Sequence, residues 1–459
     1  SFLYSMTDQG VGTNFNAVTV DYYISRWTDL DIEVNRKVSY TVKIEPQDET
    51  GAALSGASVA IYSDSGVLIV PDETGIYALP YGTYYYQITR SGSIARSGSF
   101  TLTAASADEL EDGVLTKAFE LKAADASAWD GKQQKPQQDA SGCYLIGTGK
   151  ELAWFAAAVN GGETSISGKL TADIELAGVA WTPIGTNASQ YNGTFDGCGH
   201  VVKNLFIYSA SDAQGLFGYL DASASVARLG VTGSIITTGN YAGGIAAYAV
   251  NGAAIGECFN AASVIAAKWA GGICGFAQSF KVTITNCYNT GAISASGADG
   301  FAGGISACGA YNMLGAAIVN CYNVGTVTAV GTCGSLTAYT GQGITNSYYR
   351  SGTCRNATGT RGTAKTEAEL KALAPTLGEA FKPDTASINS GYPILSWQSL
   401  YELGDVNRDG KVNVKDALLV YAFYRGYQEL DEEQKRLADV NQDGKYNVKD
   451  CLAIYASYH

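Results

Sequence analysis

Charge is scarce in this sequence: Asp, Glu, Lys and Arg make up 16% of 459 residues. Proline is scarcer, with 8 residues, and there are 2 histidines and 2 methionines. Each shortage excludes something. With few charges and 46% hydrophobic residues, the chain has ample material for buried cores and does not read as disordered. One histidine, His200, serves the whole middle of the chain, and no Ser–His–Asp or Cys–His set can be assembled around it. No apolar run reaches ~18 residues, so no membrane-spanning helix is expected. The formal net charge is −13, which argues against nucleic acid and anionic membrane surfaces as partners. The 10 cysteines show no zinc spacing. Most lie in the repetitive middle, where free buried thiols and disulfides both stay open. The chain starts SFLYS, with neither Met nor signal peptide, so it reads as a mature form or a piece of something longer.

Glycine (55) and tyrosine (30) are plentiful, and the chain repeats itself. The sharpest repeat is C-terminal. DVNRDGKVNVKD over 405–416 returns as DVNQDGKYNVKD over 439–450, 34 residues on. Each copy sets oxygen-bearing side chains at loop positions 1, 3, 5, 9 and 12, with Gly at position 6. That is how a calcium loop is written, because a hard cation takes six to eight oxygens at roughly 2.3–2.6 Å. The first loop offers Asp405, Asn407, Asp409, the backbone carbonyl of Lys411, Asn413 and Asp416. The second offers Asp439, Asn441, Asp443, the carbonyl of Lys445, Asn447 and Asp450. Gly410 and Gly444 permit the sharp turn. Two Ca²⁺ ions are expected. An exiting helix follows each loop, DALLVYAFYRG and DCLAIYASYH, while SWQSLYELG ahead of the first is too short for a good entering helix.

Loop plus exiting helix, twice in about 60 residues, resembles the type I dockerin module, over residues 404–459. The resemblance implies calcium-dependent binding to a cohesin module of a scaffoldin, in cellulosome-type assemblies. It assigns cohesin contact to loop positions 10 and 11, here Val414 and Lys415, and Val448 and Lys449. Because the copies match there, docking in either of two orientations is implied. Position 12 departs from the usual EF-hand, being Asp rather than Glu. Val-Lys also departs from the hydroxyl residues common at positions 10 and 11 in the family.

Residues 127–400 repeat with a longer and looser period. GGI recurs at 243–245, 271–273 and 303–305. CFN at 258, then CYN at 287 and 321, recur in step, with NSYY at 346 as a degenerate fourth copy. A period near 30 with short β segments and Gly turns is a solenoid signature. Stacked rungs about 4.8 Å apart would bury Ile, Val and Cys and line up the Cys and Asn of each motif as ladders. The flanking segments GCYLIGTGKELAWFAAAVNGG, with a capping helix near 150–159, GTFDGCGHVVKNLFI and GLFG complete the pattern. Together they resemble the GLUG-motif, right-handed parallel β-helix regions of secreted proteins from Gram-positive anaerobes. Such folds host polysaccharide lyases and glycosidases, which need clustered carboxylates or a basic residue beside calcium. Between 251 and 349 the only charged residues are Glu257, Lys268, Lys281 and Asp299. Asp173, Glu175 and Asp196 sit in structural motifs. Trp269, Tyr311 and Tyr339 are candidates for stacking on sugar rings, with turn packing as the competing use.

Residues 37–126 alternate in short strands punctuated by Gly, Asp and Pro. They resemble the transthyretin-like or collagen-adhesin-B-like sandwiches of bacterial surface proteins, which implies an Ig-like β-sandwich acting as a spacer. Residues 1–36 stay open. They could complete that sandwich, end a preceding domain, or donate a strand to a neighbouring subunit.

The expected fold is therefore mainly β: an arm (1–36), an Ig-like sandwich (37–126), a β-helix (127–400), and a small all-α paired calcium module (401–459). The expected function is that of a secreted, cell-surface-associated, non-catalytic protein. It would dock on a cohesin, with the β-helix serving adhesion or polysaccharide attachment. An extracellular fibre subunit that self-assembles, and a polysaccharide lyase or glycosidase on the β-helix, are the alternatives.

Overall fold

In the computed structural model the described residues are 21–28, 31–37, 39–63, 66–90, 92–124, 128–250, 252–279, 281–307, 316–338, 343–354, 362–399, 401, 403–409, 411–441 and 444–457. The chain divides into two compact units, Ser1–Leu370 and Lys371–His459.

The period near 30 builds a β-solenoid. Each repeat lays down short strands that pair in parallel with the same strands of the next repeat, giving a continuous 18-stranded sheet and two smaller ones. Register follows the sequence motifs. Gly243, Gly271, Gly303 and Gly334 stand in one column. Phe259, Tyr288, Tyr322 and Tyr348 stand in another, which makes NSYY the fourth copy of the repeat. Columns of β-branched residues fill the interior: Val226, Ile255, Ile284, Ile318 and Ile344 in one, Ile235, Val264, Ile293 and Val327 in the next. A rung cannot bury such a column alone, so the rungs stabilise one another pairwise.

The Cys and Asn of CFN and CYN form ladders. Asn260 Nδ2 donates to Asn289 Oδ1, and Asn289 Nδ2 to Asn323 Oδ1, both at 2.8 Å and fully buried. These amides need room. A Cβ on Gly244, Gly272 or Gly304 would fall within 2.6 Å of the Asn of its own rung, which is why the second residue of GGI is glycine. The backbone N–H groups of Cys258 and Cys287 donate to the sulfur of the next rung at 3.4 Å, and Ser347 takes the place of the fourth thiol. Burial pushes the Cys287 and Cys321 thiols well above their usual pKa, so these sulfurs stay protonated. A second amide ladder lies at left-handed backbone positions: Asn346 donates to Asn320 at 2.8 Å, and Asn320 to Asn286 at 3.0 Å. Cys333 and Cys354 are joined as a disulfide. Cys143, Cys198, Cys258, Cys274, Cys287, Cys321 and Cys451 are free, and Cys308 lies outside the described residues.

Ahead of these rungs the helix Gly149–Asn160 starts where Thr148 accepts from the Glu151 N–H. Its Phe155 packs among the rings of Tyr144, Tyr191 and Phe195 in the first turns of the solenoid.

Residues 39–121 form two four-stranded sheets around one apolar core, with Val42, Leu79 and Leu115 from one sheet and Ile61, Ile88 and Leu102 from the other. This pair of sheets is seated on the solenoid flank. Tyr62 and Tyr85 bury Ile236 and Ile265, the outward neighbours of the core residues Ile235 and Val264. Gln87 Nε2 donates to the Gly178 carbonyl at 3.1 Å and the Ala95 N–H to the Ala177 carbonyl at 3.2 Å. A charge at this contact would be buried without a partner. Ile265→Asp is therefore expected to cost about 3 kcal/mol and release the two-sheet segment from the flank, read as new protease cleavage between 122 and 130. Unchanged cleavage would mean that the contact adds nothing. Strands Asp21–Thr28 and Asp31–Lys37 pair as an antiparallel hairpin that joins no other strand among the described residues. The rest of the arm, 1–20, lies outside them.

Candidate functional site

The C-terminal unit has its own small core: Val406, Ala417, Val420, Leu430, Leu437, Ala438 and Ile454. Helices Val414–Tyr424 and Val448–Ser457 follow the two acidic loops, as the apolar spacing in the sequence requires. A third helix, Glu432–Ala438, connects them and was not anticipated from the sequence. Its signal is there to read: Asp431 and Gln434 form a capping box ahead of a run of good helix formers.

The first loop is built from its own side chains. Asp416, at position 12, is also the capping-box residue of the helix it opens. It accepts the N–H of Asn413 at 2.9 Å with one oxygen and the N–H of Asn407 at 2.9 Å with the other. Asp405 Oδ1 accepts the Asp409 N–H at 3.1 Å, and Asp409 Oδ1 the Lys411 N–H at 3.1 Å. Asn413 places its Oδ1 on the Lys415 N–H, so it acts as a helix cap. The second loop repeats the plan. Asp450 accepts the N–H groups of Asn447 at 3.0 Å and Asn441 at 3.5 Å, Asp439 accepts from Gly444 at 3.0 Å, and Asn447 caps with the Lys449 N–H. Gly410 and Asp443 lie outside the described residues.

Burial supplies the test of whether these loops suit a cation. Asp405, Asp416 and Asp450 are 1%, 0% and 0% exposed, and no other Asp, Glu, Lys or Arg among the described residues is buried. Ionised carboxylates taken out of water cost several kcal/mol each unless a positive charge meets them. The first loop holds two buried carboxylates, a third half-exposed one, an Asn side chain and backbone carbonyls within 12 residues, which are the donor types that calcium takes. Among the described residues no three His, Cys, Asp or Glu side chains stand close enough together to hold a metal ion, so the case for the loops rests on donor type, spacing and burial.

The exiting helices carry a second feature. Val414, Leu418 and Tyr421 are exposed on one helix, and Val448, Leu452 and Tyr455 on the other, each set at i, i+4, i+7 and 34 residues from its counterpart. Leu418 and Leu452 are 59% and 60% exposed. More than half of the exposed large apolar side chains among the described residues fall within 414–455, a concentration typical of an interaction surface. Val414, Lys415, Val448 and Lys449 all lie on the surface, as their loop positions suggested. Leu418, Tyr421, Leu452 and Tyr455 were missed, although the 34-residue repeat extends through all four.

Among its described residues the solenoid offers no comparable assembly. His200 Nδ1 lies 3.3 Å from Asp173 Oδ1, and Asp173 also pairs with Lys203 at 2.7 Å and accepts the Val201 N–H. Burial opposes ionisation of Asp173, yet the hydrogen bonds from His200 and Lys203 outweigh it and bring its pKa down to about 2. Glu175 holds Asn204, and Asp196 is paired with Arg228. Trp269 is stacked between the rings of Tyr241 and Phe301 on neighbouring rungs, so both of its faces are in use. Tyr311 and Tyr339 lie outside the described residues.

A stretch of 70 residues is 37% identical to a protein of Evansella cellulosilytica named "Putative Gly-rich membrane protein", covering 15% of this chain and 8% of that one. No described helix here is long and apolar enough to cross a membrane. Among solved structures an IgA1 protease aligns over 67% of this chain and 28% of its own at 14% identity, with a TM-score of 0.32, below the level from which a shared fold follows. The family model of the dockerin type I domain matches residues 403–456. Type I dockerins bind calcium and dock on cohesins as a family, and the match falls on the two loops and three helices just described. Residues 403–456 are a dockerin type I domain.

Proposed function

We propose that the chain is a secreted, non-catalytic modular protein that its dockerin anchors to a cohesin of a cell-surface, cellulosome-type complex. Two calcium ions order the dockerin. Asp405, Asn407, Asp409, the Lys411 carbonyl, Asn413 through a water and Asp416 hold one, and Asp439, Asn441, Asp443, the Lys445 carbonyl, Asn447 through a water and Asp450 the other. The observation that carries the reading is the pairing, in each half, of a buried position-12 carboxylate in the loop (Asp416, Asp450) with an exposed Val–Leu–Tyr stripe on the helix after it. Calcium neutralises the loop and fixes the helix, and the helix presents the stripe. Val414, Lys415, Val448 and Lys449 lie at the loop ends of the two stripes and contact the cohesin. The β-solenoid, a GLUG-like right-handed helix in this reading, serves adhesion or attachment to polysaccharide. Its Asp173, Glu175 and Asp196 are engaged in ion pairs and amide contacts, which favours binding over catalysis. The two-sheet segment is an Ig-like spacer fixed to the solenoid flank.

A pull-down of the intact chain against recombinant cohesins, with calcium and then with EDTA, tests the docking. Capture that EDTA reverses is expected. Calcium uptake without capture by any cohesin would overturn it. The unattached hairpin Asp21–Thr28/Asp31–Lys37 favours a second reading, a fibre subunit that donates strands to its neighbour, because a two-stranded hairpin is marginal alone in water. Polymers formed by the pure chain without a scaffoldin would support it.

A further inference from the structure

The face of the solenoid built on the GGI columns carries an aromatic terrace. Tyr241, Trp269 and Phe301 follow one another on successive rungs, with ring centroids 4.9 and 6.4 Å apart and planes within 12° of parallel. Tyr219, Tyr248 and Phe276 form a second column beside it, at 5.3 and 4.9 Å. The columns meet edge-on, Tyr241 against Tyr248 at 5.1 Å and 88°. Packing explains the rings, which are half-buried or, for Phe276, buried. It does not explain the hydroxyls, since Phe276 and Phe301 hold places in the same columns without one. Among the described residues the hydroxyls of Tyr219, Tyr241 and Tyr248 have no hydrogen-bond partner. Polar groups stand beside them. Asp212 accepts the Asn240 N–H at 2.6 Å and the Asn240 side-chain amide at 3.3 Å, and both residues are exposed. Burial raises the pKa of Tyr219 and Tyr241, and the Asp212 carboxylate raises both further, which marks it as their charged neighbour and keeps them protonated.

We propose that this face holds a neutral, extended polysaccharide chain laid along the solenoid axis, with Tyr219, Tyr241, Tyr248 and Asp212 hydrogen-bonding its sugar hydroxyls. This rests on the reading of the solenoid as the polysaccharide-attaching part, and names its site and ligand class. Apolar sugar faces lie against the half-buried rings, and the free hydroxyls and the carboxylate fix orientation. Rungs repeat at about 4.8 Å, close to the length of one sugar unit in an extended β-linked chain. A straight chain therefore meets the face on rung after rung, whereas a coiled one leaves it within a turn. Trp269 is a brace for Tyr241 rather than a stacking platform, because its faces are taken. Asp212 selects against uronates. An acidic polymer would bring carboxylates up to it, and Lys268, two rungs on, is drawn over the Trp269 ring at 4.3 Å.

The test measures binding of the full chain, with calcium, to four soluble polymers: mixed-linkage β-glucan and glucomannan as extended neutral chains, amylose as a coiled neutral one, and polygalacturonate as an acidic one. The first two are expected to bind at least about tenfold tighter than the others. Tyr219→Phe with Tyr241→Phe and Tyr248→Phe keeps every ring and removes only the hydroxyls. It is expected to weaken β-glucan binding by at least about tenfold, while the thermal unfolding of the solenoid stays where it was and reports that the stacks are intact. Unchanged binding by the triple variant overturns the site and leaves polysaccharide attachment to another face. Polygalacturonate or amylose bound as tightly as β-glucan overturns the ligand class. Binding of none of the four overturns the attachment reading together with the site.

Discussion

A chain carrying Asp405→Ala and Asp439→Ala binds no calcium and captures no cohesin, while residues 1–370 keep their own melting transition. The effect is large because the dockerin has little else to hold it together. Its core is a handful of Val, Ala, Leu and Ile side chains, and domains of about 55 residues bury too little surface to be secure without a staple. An ion held at about a thousand times its Kd adds about 4 kcal/mol per site, so two sites exceed what such a core supplies. Removing position 1 leaves the position-12 carboxylate of each loop buried without its cation. Asp416 and Asp450, fully buried, then oppose folding instead of supporting it. Calorimetry of the intact chain separates the two units, which are compact independently of each other. Loss of a calcium-dependent transition with the other unmoved is the expected result. Two ions bound by the double variant would sink the assignment of these loops.

Asn289→Ala is expected to destabilise the solenoid by about 3–5 kcal/mol, far more than deleting an exposed side chain. Asn289 is fully buried and central in its ladder. It accepts from Asn260 at 2.8 Å and donates to Asn323 at 2.8 Å and to the Gly291 carbonyl at 2.9 Å. Alanine strands a donor on one rung, an acceptor on the next and a carbonyl at the turn, each costing about 1–3 kcal/mol when water cannot reach it. Rungs contact only their neighbours, so the loss is local at first and is felt as a break in the stack. Thermal unfolding of the chain, followed at a strand signal, measures it. A change below about 1 kcal/mol would mean that water enters the ladder and replaces the amide.

The same residues show how far a sequence can be read. The solenoid was legible because its period repeats in kind as well as in length: GGI, C-F/Y-N and Gly-X-Ile/Val return in step, and parallel stacking needs like residues above one another. The reason for the second glycine of GGI was not legible. It depends on the amide of the same rung lying within 2.6 Å of where a Cβ would be, a distance set across the solenoid interior. Trp269 could be named as aromatic and near the surface, but only stacking shows that Tyr241 and Phe301 occupy both its faces. The pairing of Cys333 with Cys354 likewise needed the turn of the last rungs to bring together sulfurs 21 residues apart.

By itself the sequence determined what is local and periodic. The candidate calcium ligands fall within 12 consecutive residues, and a turn that short has few ways to fold, so spacing alone is enough to propose the loops. The helices after them follow from apolar spacing, and the solenoid from its repeat. Tertiary structure decided what depends on contacts between distant residues. It placed Tyr62 and Tyr85 on Ile236 and Ile265, fixing the two-sheet segment to the flank. It buried Asp405, Asp416 and Asp450 and left Leu418, Tyr421, Leu452 and Tyr455 in water. An apolar residue at helical spacing reads as core until a neighbouring helix covers it or fails to. Whether it packs or docks is settled by where the other elements lie, which no spacing within one helix contains.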